Sequence, residues 1–233
     1  MQVNVIASGS SGNATLISDG ASSLLLDAGI NIKRLQIASG FALSGAAGCL
    51  LTHEHGDHSK AVKDLAKLGV DIYSSQGTLD RCCLSENRFR AVKALEPFTV
   101  GTFKVLPFDV THDAAEPLGF SVESMATGEK LIYFSDTAYV KYTFTGLTHI
   151  VAECNHGEHE LRQSVRNDVI NVDLARRIVR NHMSVERLTA FFKANDLSRL
   201  KQVHLIHLSD NNSNAEKFKA AIQRVTGTEV YVY

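Results

Sequence analysis

Short apolar or alternating runs at Val3–Ala7, Ala14–Ser18 and Ser23–Asp27, separated by turns rich in Gly, Ser and Asn, predict three consecutive strands. After Gly29 the apolar positions fall at helical spacing, around Ile32, Leu35 and Ile37. A buried strand at Cys49–Thr52 and a helix over about Ser59–Leu68 follow, giving the order β-β-β-α-β-α. Further strands are predicted at Asp71–Ser74, Phe98–Phe108, Gly119–Ser124, Lys130–Phe134 and His149–Glu153. Helical spacing then dominates from about Val172 to Asn195, with Ser184 as an N-cap ahead of Val185-Glu186-Arg187-Leu188. A strand at Gln202–Leu208, a helix around Ala215–Val225 and an alternating end, Thr228–Tyr233, complete the pattern. Two β-rich halves, each closing with helices, predict two sheets packed face to face and covered on their outer sides.

The 233 residues are expected to form a single domain, because a closed α/β architecture can fill a core of that size. A charged fraction of 21% with 44% hydrophobic residues excludes a disordered chain, and no apolar run reaches the length of a membrane span. The opening Met1-Gln2-Val3-Asn4-Val5-Ile6 has no basic stretch leading into a long apolar one, so the expected location is the cytoplasm. Cys49, Cys82, Cys83 and Cys154 show no C-x-x-C spacing and are expected to stay reduced. A net charge of -1 does not advertise binding to a polyanion; any such contact must come from a local patch.

The most informative stretch is Thr52-His53-Glu54-His55-Gly56-Asp57-His58, between an apolar strand and a helix. Three imidazoles and a carboxylate so close together are costly in a core, whereas a loop at a strand end can turn them onto first-row metal ions. His53 and His55, on one side of an extended segment, would reach one ion, and Asp57 and His58 another. Further donors stand at strand ends: His112, Asp136 and His207. A carboxylate can bridge two cations, which makes Asp136 the bridging candidate. His204 precedes His207 by three residues on an alternating strand and should point the other way. It is given no role, nor are His149 and His159.

His53-x-His55-x-Asp57-His58 followed by His112, Asp136 and His207 resembles the metallo-β-lactamase-fold hydrolases over nearly the whole chain. The resemblance implies a four-layered αββα sandwich with a dinuclear site at one edge of the sheets. Flavodiiron proteins of this fold carry glutamate where His55 stands, and true β-lactamases often carry cysteine where Asp136 stands, so the glyoxalase-II and phosphodiesterase branches fit better. The opening Ala7-Ser8-Gly9-Ser10-Ser11-Gly12-Asn13 and the stretch Leu51–Ser59 resemble small bacterial exonucleases of the YycJ/WalJ type. Ser135–Tyr139, Glu153–His156 and Asn181–Ser184 agree with that group. Departures are Ala138 and Asn181, where the group usually has glycine, and Gly157, where it usually has an acidic residue.

The implied activity is metal-dependent phosphodiester hydrolysis of nucleic acid, a 5′-to-3′ DNA exonuclease. Two divalent ions about 3.5–4 Å apart would share a hydroxide and clamp the attacking and leaving oxygens. His53, His55 and His112 are assigned to one ion, Asp57, His58 and His207 to the other, and Asp136 to both. Asp57 is also a candidate for orienting the hydroxide. Zinc or manganese are the expected ions, and the ligands accommodate iron as well. His182 matches the histidine of the family's G-H-L-S segment and is the candidate general acid or phosphate clamp. Ser11 and Asn13, in a loop whose N–H groups could form an anion nest, are candidate substrate contacts. Residues 162–201 hold nine Lys+Arg against four acids, so a basic rim beside His182 could follow a nucleic-acid backbone. The alternative is a small-molecule phosphodiesterase of the same fold, acting on a cyclic nucleotide or cyclic phosphate ester. A fold-retaining module without catalysis is the reading from a different class. Oligomeric state is open, a homodimer included; no membrane partner is expected.

Overall fold

The structure is a computed structural model and describes residues 1–82 and 87–233. Its chain forms two compact units, residues 1–109 with 114–133, and residues 110–113 with 134–233.

In the first unit, β1 (Gln2–Ala7), β2 (Ala14–Ser18) and β3 (Ser23–Leu26) pair antiparallel in sequence order. Helix α1 (Ile32–Ala38) then carries the chain over to β4 (Gly48–Leu50), which lies parallel to β3. Two short helices, α2 (Gly56–Ser59) and α3 (Val62–Lys67), lead to β5 (Ile72–Ser74), and α4 (Gln76–Arg81) precedes β6 (Phe89–Ala91). Both of these strands also add in parallel, and the six-stranded order is β1-β2-β3-β4-β5-β6. Parallel strands need crossovers, so the carboxyl ends of β3 and β4 emerge side by side, where α/β sheets place ligands. Leu25, Leu35, Cys49, Leu51, Leu65 and Ile72 are buried together beneath that edge.

An antiparallel ribbon, β7 (Phe98–Val100), β8 (Phe103–Asp109), β9 (Leu118–Ser124) and β10 (Lys130–Phe134), follows. The alternation at 98–108, which predicts one strand, is split into two because Gly101 takes φ +55 and turns the chain back on itself. A Cβ at Gly101 would meet the Ser22 hydroxyl at 2.7 Å, so the turn is reserved for glycine.

The second unit holds β11 (His149–Glu153), α5 (Glu158–Arg166), α6 (Val172–Asn181), α7 (Val185–Ala194), β12 (Gln202–Ile206), α8 (Ala215–Thr226) and β13 (Glu229–Val232). β11 and β12 are parallel, as are β12 and β13. Glu153 and Ile206 are register partners at the carboxyl end of their pair. The helical stretch expected over 172–195 is two helices. The break falls at His182, whose backbone is extended, and Ser184 caps α7 by accepting the Arg187 N–H. Helices α4 and α5 escape the periodicity because so few of their positions are apolar and buried; α5 buries only Leu161 and Ser164.

Cys49 and Cys154 are buried free thiols, and Cys83 lies outside the described residues. Among the described residues no helix is long and apolar enough to cross a membrane.

Candidate metal centre

In the first unit, β3 and β4 end one beside the other in Asp27 and in Leu51-Thr52-His53. Asp27 is fully buried at φ +58, a left-handed conformation that Asp tolerates better than most residues. Its carboxylate accepts the Thr52 N–H at 2.8 Å, the Thr52 hydroxyl at 2.9 Å, His58 Nδ1 at 2.8 Å and the Tyr133 hydroxyl at 2.8 Å. A buried charge is tolerable when it is saturated with donors in this way.

The turn before β2 clamps the same loop from the other side. Asn13 N–H donates to the Asp57 carbonyl at 2.7 Å, and Gly29 N–H donates to the Asn13 carbonyl at 2.8 Å. The Asn13 side chain is buried; its Oδ1 accepts the Gly9 N–H, and its Nδ2 lies 3.2 Å from His58 Nε2. Ser11, in the same turn, is exposed. His53 Nε2 and His55 Nδ1 stand 3.1 Å apart, and His58 Nε2 is 3.6 Å from Asp57 Oδ2. The two donor pairs expected from the spacing therefore each converge.

In the second unit the donors again stand at strand ends. Asp136 follows β10 at φ +46 and His207 follows β12 at φ +57, so two non-glycine residues here share the strained backbone region of Asp27. Such positions cost on the order of 1–3 kcal/mol each and persist where the surroundings fix them. Asp136 directs Oδ1 to His207 Nδ1 at 2.9 Å and Oδ2 to His112 Nε2 at 3.6 Å. One oxygen thus faces each of two histidines.

Glu153, at the end of β11, is fully buried and is the hub of this half. Its Oε1 accepts His182 Nδ1 at 2.7 Å and His207 Nδ1 at 2.9 Å. Oε2 accepts the backbone N–H groups of Thr137 at 2.9 Å and Met183 at 3.0 Å. Burial on its own would raise the Glu153 pKa, but the His182 charge and the hydrogen bonds from His182 and His207 outweigh it and bring it down. Burial pulls His182 down, and the Glu153 charge and hydrogen bond more than offset that, so its pKa is raised. Asp136, Glu153, His182 and His207 offer ligand atoms within 4.8 Å of one another.

Hydrogen bonds fix which nitrogen His53, His58, His112, His182 and His207 present. Thr52 has one hydroxyl proton, directed to Asp27, so it accepts from His53 Nδ1 at 3.0 Å. His58 donates Nδ1–H to Asp27, His112 donates Nδ1–H to the Asn181 carbonyl at 3.2 Å, and His182 and His207 donate Nδ1–H to Glu153. In neutral form His53, His58, His112 and His207 then carry the lone pair on Nε2, the arrangement of a metal ligand whose other nitrogen is held by a neighbouring oxygen, whereas the raised pKa of His182 favours a proton on its Nε2 as well. The His53 and His55 nitrogens that face one another need a cation or a proton between them. With the carboxylates of Asp57 and Asp136, this donor set fits divalent first-row ions.

The model of the Beta-lactamase superfamily domain matches residues 23–207. The chain belongs to that superfamily. It is 28% identical over 97% of its length to "Exodeoxyribonuclease YycJ" of Bacillus anthracis, covering 89% of that protein. It is also 28% identical to "Exodeoxyribonuclease WalJ" of Streptococcus pneumoniae serotype 2, over 91% of this chain and 83% of the relative. The metallo-β-lactamase fold protein YhfI from Bacillus subtilis superposes with a TM-score of 0.77 at 17% identity, over 99% of this chain and 95% of that one. The superfamily chain is thus a mixed α/β hydrolase with two sheets flanked by helices, and its fold implies binding of divalent metal.

Sequence reasoning gave no role to Asp27, Tyr133 or Glu153. Asp27 and Glu153 carry a signal in hindsight: a lone acid ending an apolar run, Leu24-Leu25-Leu26-Asp27 and Ile150-Val151-Ala152-Glu153. His204 is buried between β strands, its ring stacked on Tyr231 at 5.0 Å, and takes no part in either donor group.

Proposed function

We propose that this superfamily member is a metal-dependent phosphodiesterase acting on nucleic acid, a 5′-to-3′ DNA exonuclease with zinc or manganese at a dinuclear centre. The observation that carries the metal chemistry is the set of imidazoles anchored through Nδ1 and presenting Nε2. Relatives named as exodeoxyribonucleases over most of the chain support the choice of substrate. His53, His55 and His112 are proposed to hold one ion, Asp57, His58 and His207 the other, and Asp136 to hold both. The chain is proposed to act as a single domain, in the cytoplasm.

Bound divalent ions supply water of lowered pKa and neutralise the charge that develops on the phosphoryl oxygens. The chain's own groups do the positioning. Asp57, on the ligand loop, orients the attacking water. His182 turns Nε2 to the substrate because Glu153 holds Nδ1, and it delivers a proton to the departing oxygen or holds a phosphoryl oxygen. Ser11 and Asn13 are proposed phosphate contacts; Ser11 is the exposed member of the pair.

The test is digestion of a 5′-phosphorylated, 3′-labelled DNA duplex with manganese or zinc supplied, beside the Asp136→Ala variant. Progressive shortening to 3′-labelled fragments, absent in the variant, is the expected result. Hydrolysis of bis(p-nitrophenyl) phosphate while DNA and RNA survive at every salt concentration would refute the nucleic-acid reading.

A further inference from the structure

Helix α6 is anomalous in the second unit: it buries none of its ten residues. Val172 is 51% exposed, Leu174 43% and Val179 39%, and Arg176, Arg177 and Arg180 share the helix with a single acid, Asp173. An amphipathic helix is normally held by its apolar side, so this one presents a surface with apolar and cationic character together.

The helix is nonetheless firmly placed. Its last carbonyl, of Asn181, accepts His112 Nδ1, and the next residue is His182. Near its end, Arg187 Nη1 donates both to the Val179 carbonyl at 3.0 Å and to the Ala138 carbonyl at 3.1 Å. Arg187 therefore ties α6 to the loop that follows Asp136. In that loop Ala138 and Val140 are buried, while Tyr139 between them is 60% exposed. Thr137 Oγ1 fixes the Tyr139 backbone from both sides, donating to its carbonyl at 2.9 Å and accepting its N–H at 3.3 Å. A large aromatic ring is thus held out to solvent on a rigid backbone, three residues from a candidate bridging ligand.

We infer that Tyr139 and the arginines Arg176 and Arg180 of α6 form a docking strip for a single-stranded stretch of nucleic acid next to the scissile bond. This rests on the nucleic-acid reading above and specifies what the enzyme grips. An exposed aromatic ring stacks a base whatever its identity, and cations one helical turn apart, about 6 Å along the axis, hold successive backbone charges. Arg177 is partly committed to Asp113, at 3.4 Å, and Arg176 to Asp173 on the same helix, at 3.1 Å, an exposed pair that a phosphate can displace, whereas Arg180 makes no ion pair among the described residues. Charge also selects the occupant. Two copies of α6 face to face would oppose three arginines with three arginines and only one aspartate each, whereas a polyanion complements the face.

The experiment is fluorescence anisotropy with metal-loaded protein and a phosphorothioate oligothymidylate about twelve nucleotides long, within the usual site size of single-strand binders. Tyr139→Ala is expected to weaken binding at least about fivefold, the lower end for loss of one stacked base, and Tyr139→Phe to retain wild-type affinity. The double variant Arg176→Ser/Arg180→Ser is expected to make the slope of log K against log salt shallower by about 1.4. Thermal melting checks that each variant is folded. Wild-type affinity in both Tyr139→Ala and the double arginine variant, with the wild type itself binding, would overturn the strip and leave the nuclease reading intact. Equal losses on a blunt duplex and on the single strand would overturn its single-strand character. A dimer that Val172→Glu/Val179→Glu dissociates, with oligonucleotide affinity unchanged, would make the face an interface between copies. Failure of the wild type to bind any nucleic acid would instead bring down the underlying reading.

Discussion

His182 donates Nδ1–H to Glu153 at 2.7 Å, and the same carboxylate oxygen takes His207 Nδ1 at 2.9 Å. One buried acid therefore sets the tautomer of both a candidate ligand and the candidate general acid. Its second oxygen faces two backbone N–H groups, so four donors converge on a group that must be acceptor-only. Glu153→Gln keeps the shape but turns an NH2 toward two donors. The expected result is a fall in kcat on DNA of about 10–100-fold with a smaller change in KM, and reduced metal content by elemental analysis. Activity within twofold of wild type would show that Glu153 does not position either histidine.

Asp27 plays the matching part in the first unit, and its donors differ in what they contribute. Tyr133→Phe removes one hydrogen bond to a carboxylate that keeps its others, so a loss of about 1–2 kcal/mol in denaturant unfolding is expected. Asp27→Ala strands Thr52, His58 and Tyr133 in a buried pocket and should cost about 3–5 kcal/mol. Asp27→Asn tolerates the left-handed backbone but loses the charge that orients His58, and should fall between the two. Equal stability of Asp27→Ala and Tyr133→Phe would contradict this ranking.

The candidate ligand loop was legible in sequence because its residue types have so few other uses at a strand end. The partners of that loop were not. Asp27 becomes adjacent to Thr52 only through parallel pairing of β3 with β4, and Glu153 meets His182 only after α6 ends in an extended residue. Alternation also could not see the reversal at Gly101, since β7 and β8 share one pattern across the turn. Sequence periodicity reports which face is apolar, whereas these contacts depend on which strands become neighbours.

Acid should destabilise the fold in two steps. His149 and His204 are buried and their pKa values are pushed down to about 4; burial is the main cause, aided for His149 by Lys201 and for His204 by His149, with Glu229 opposing. The unfolded chain takes up these protons near pH 6.5 and the folded chain only near 4, so stability falls as pH drops through that window, by roughly 3 kcal/mol per histidine. Asp19 acts lower down. Its slight burial opposes ionisation, but hydrogen bonds from Thr102, Ser22, Ser124 and Ala21 prevail and hold it at about 2. Stability from Asp19 is complete above about pH 4 and is lost between there and pH 2. Urea midpoints measured from pH 8 to 4 for wild type and His149→Gln/His204→Gln test the first step. A wild-type profile flat across that range would exclude it.

Two glycines should respond in opposite ways, although only one lies inside the metal motif. A Cβ on Gly56, the first residue of α2, meets nothing within 4 Å. A Cβ on Gly29 would lie 1.6 Å from the Asp57 carbonyl oxygen and 2.7 Å from Asn13 N. That oxygen accepts the Asn13 N–H which clamps the ligand loop, so Gly29→Ala must displace either Asp57 or the turn at Asn13. We expect Gly56→Ala to stay within about 1 kcal/mol of wild type and to bind metal normally, since alanine is the better helix former. Gly29→Ala is expected to lose about 3 kcal/mol or more and most of its bound metal. If Gly56→Ala lost metal and Gly29→Ala did not, the loop would be held by its own motif rather than by the β3 edge. Close backbone approach at Gly29 is thus as specific a requirement of the site as the imidazoles it supports.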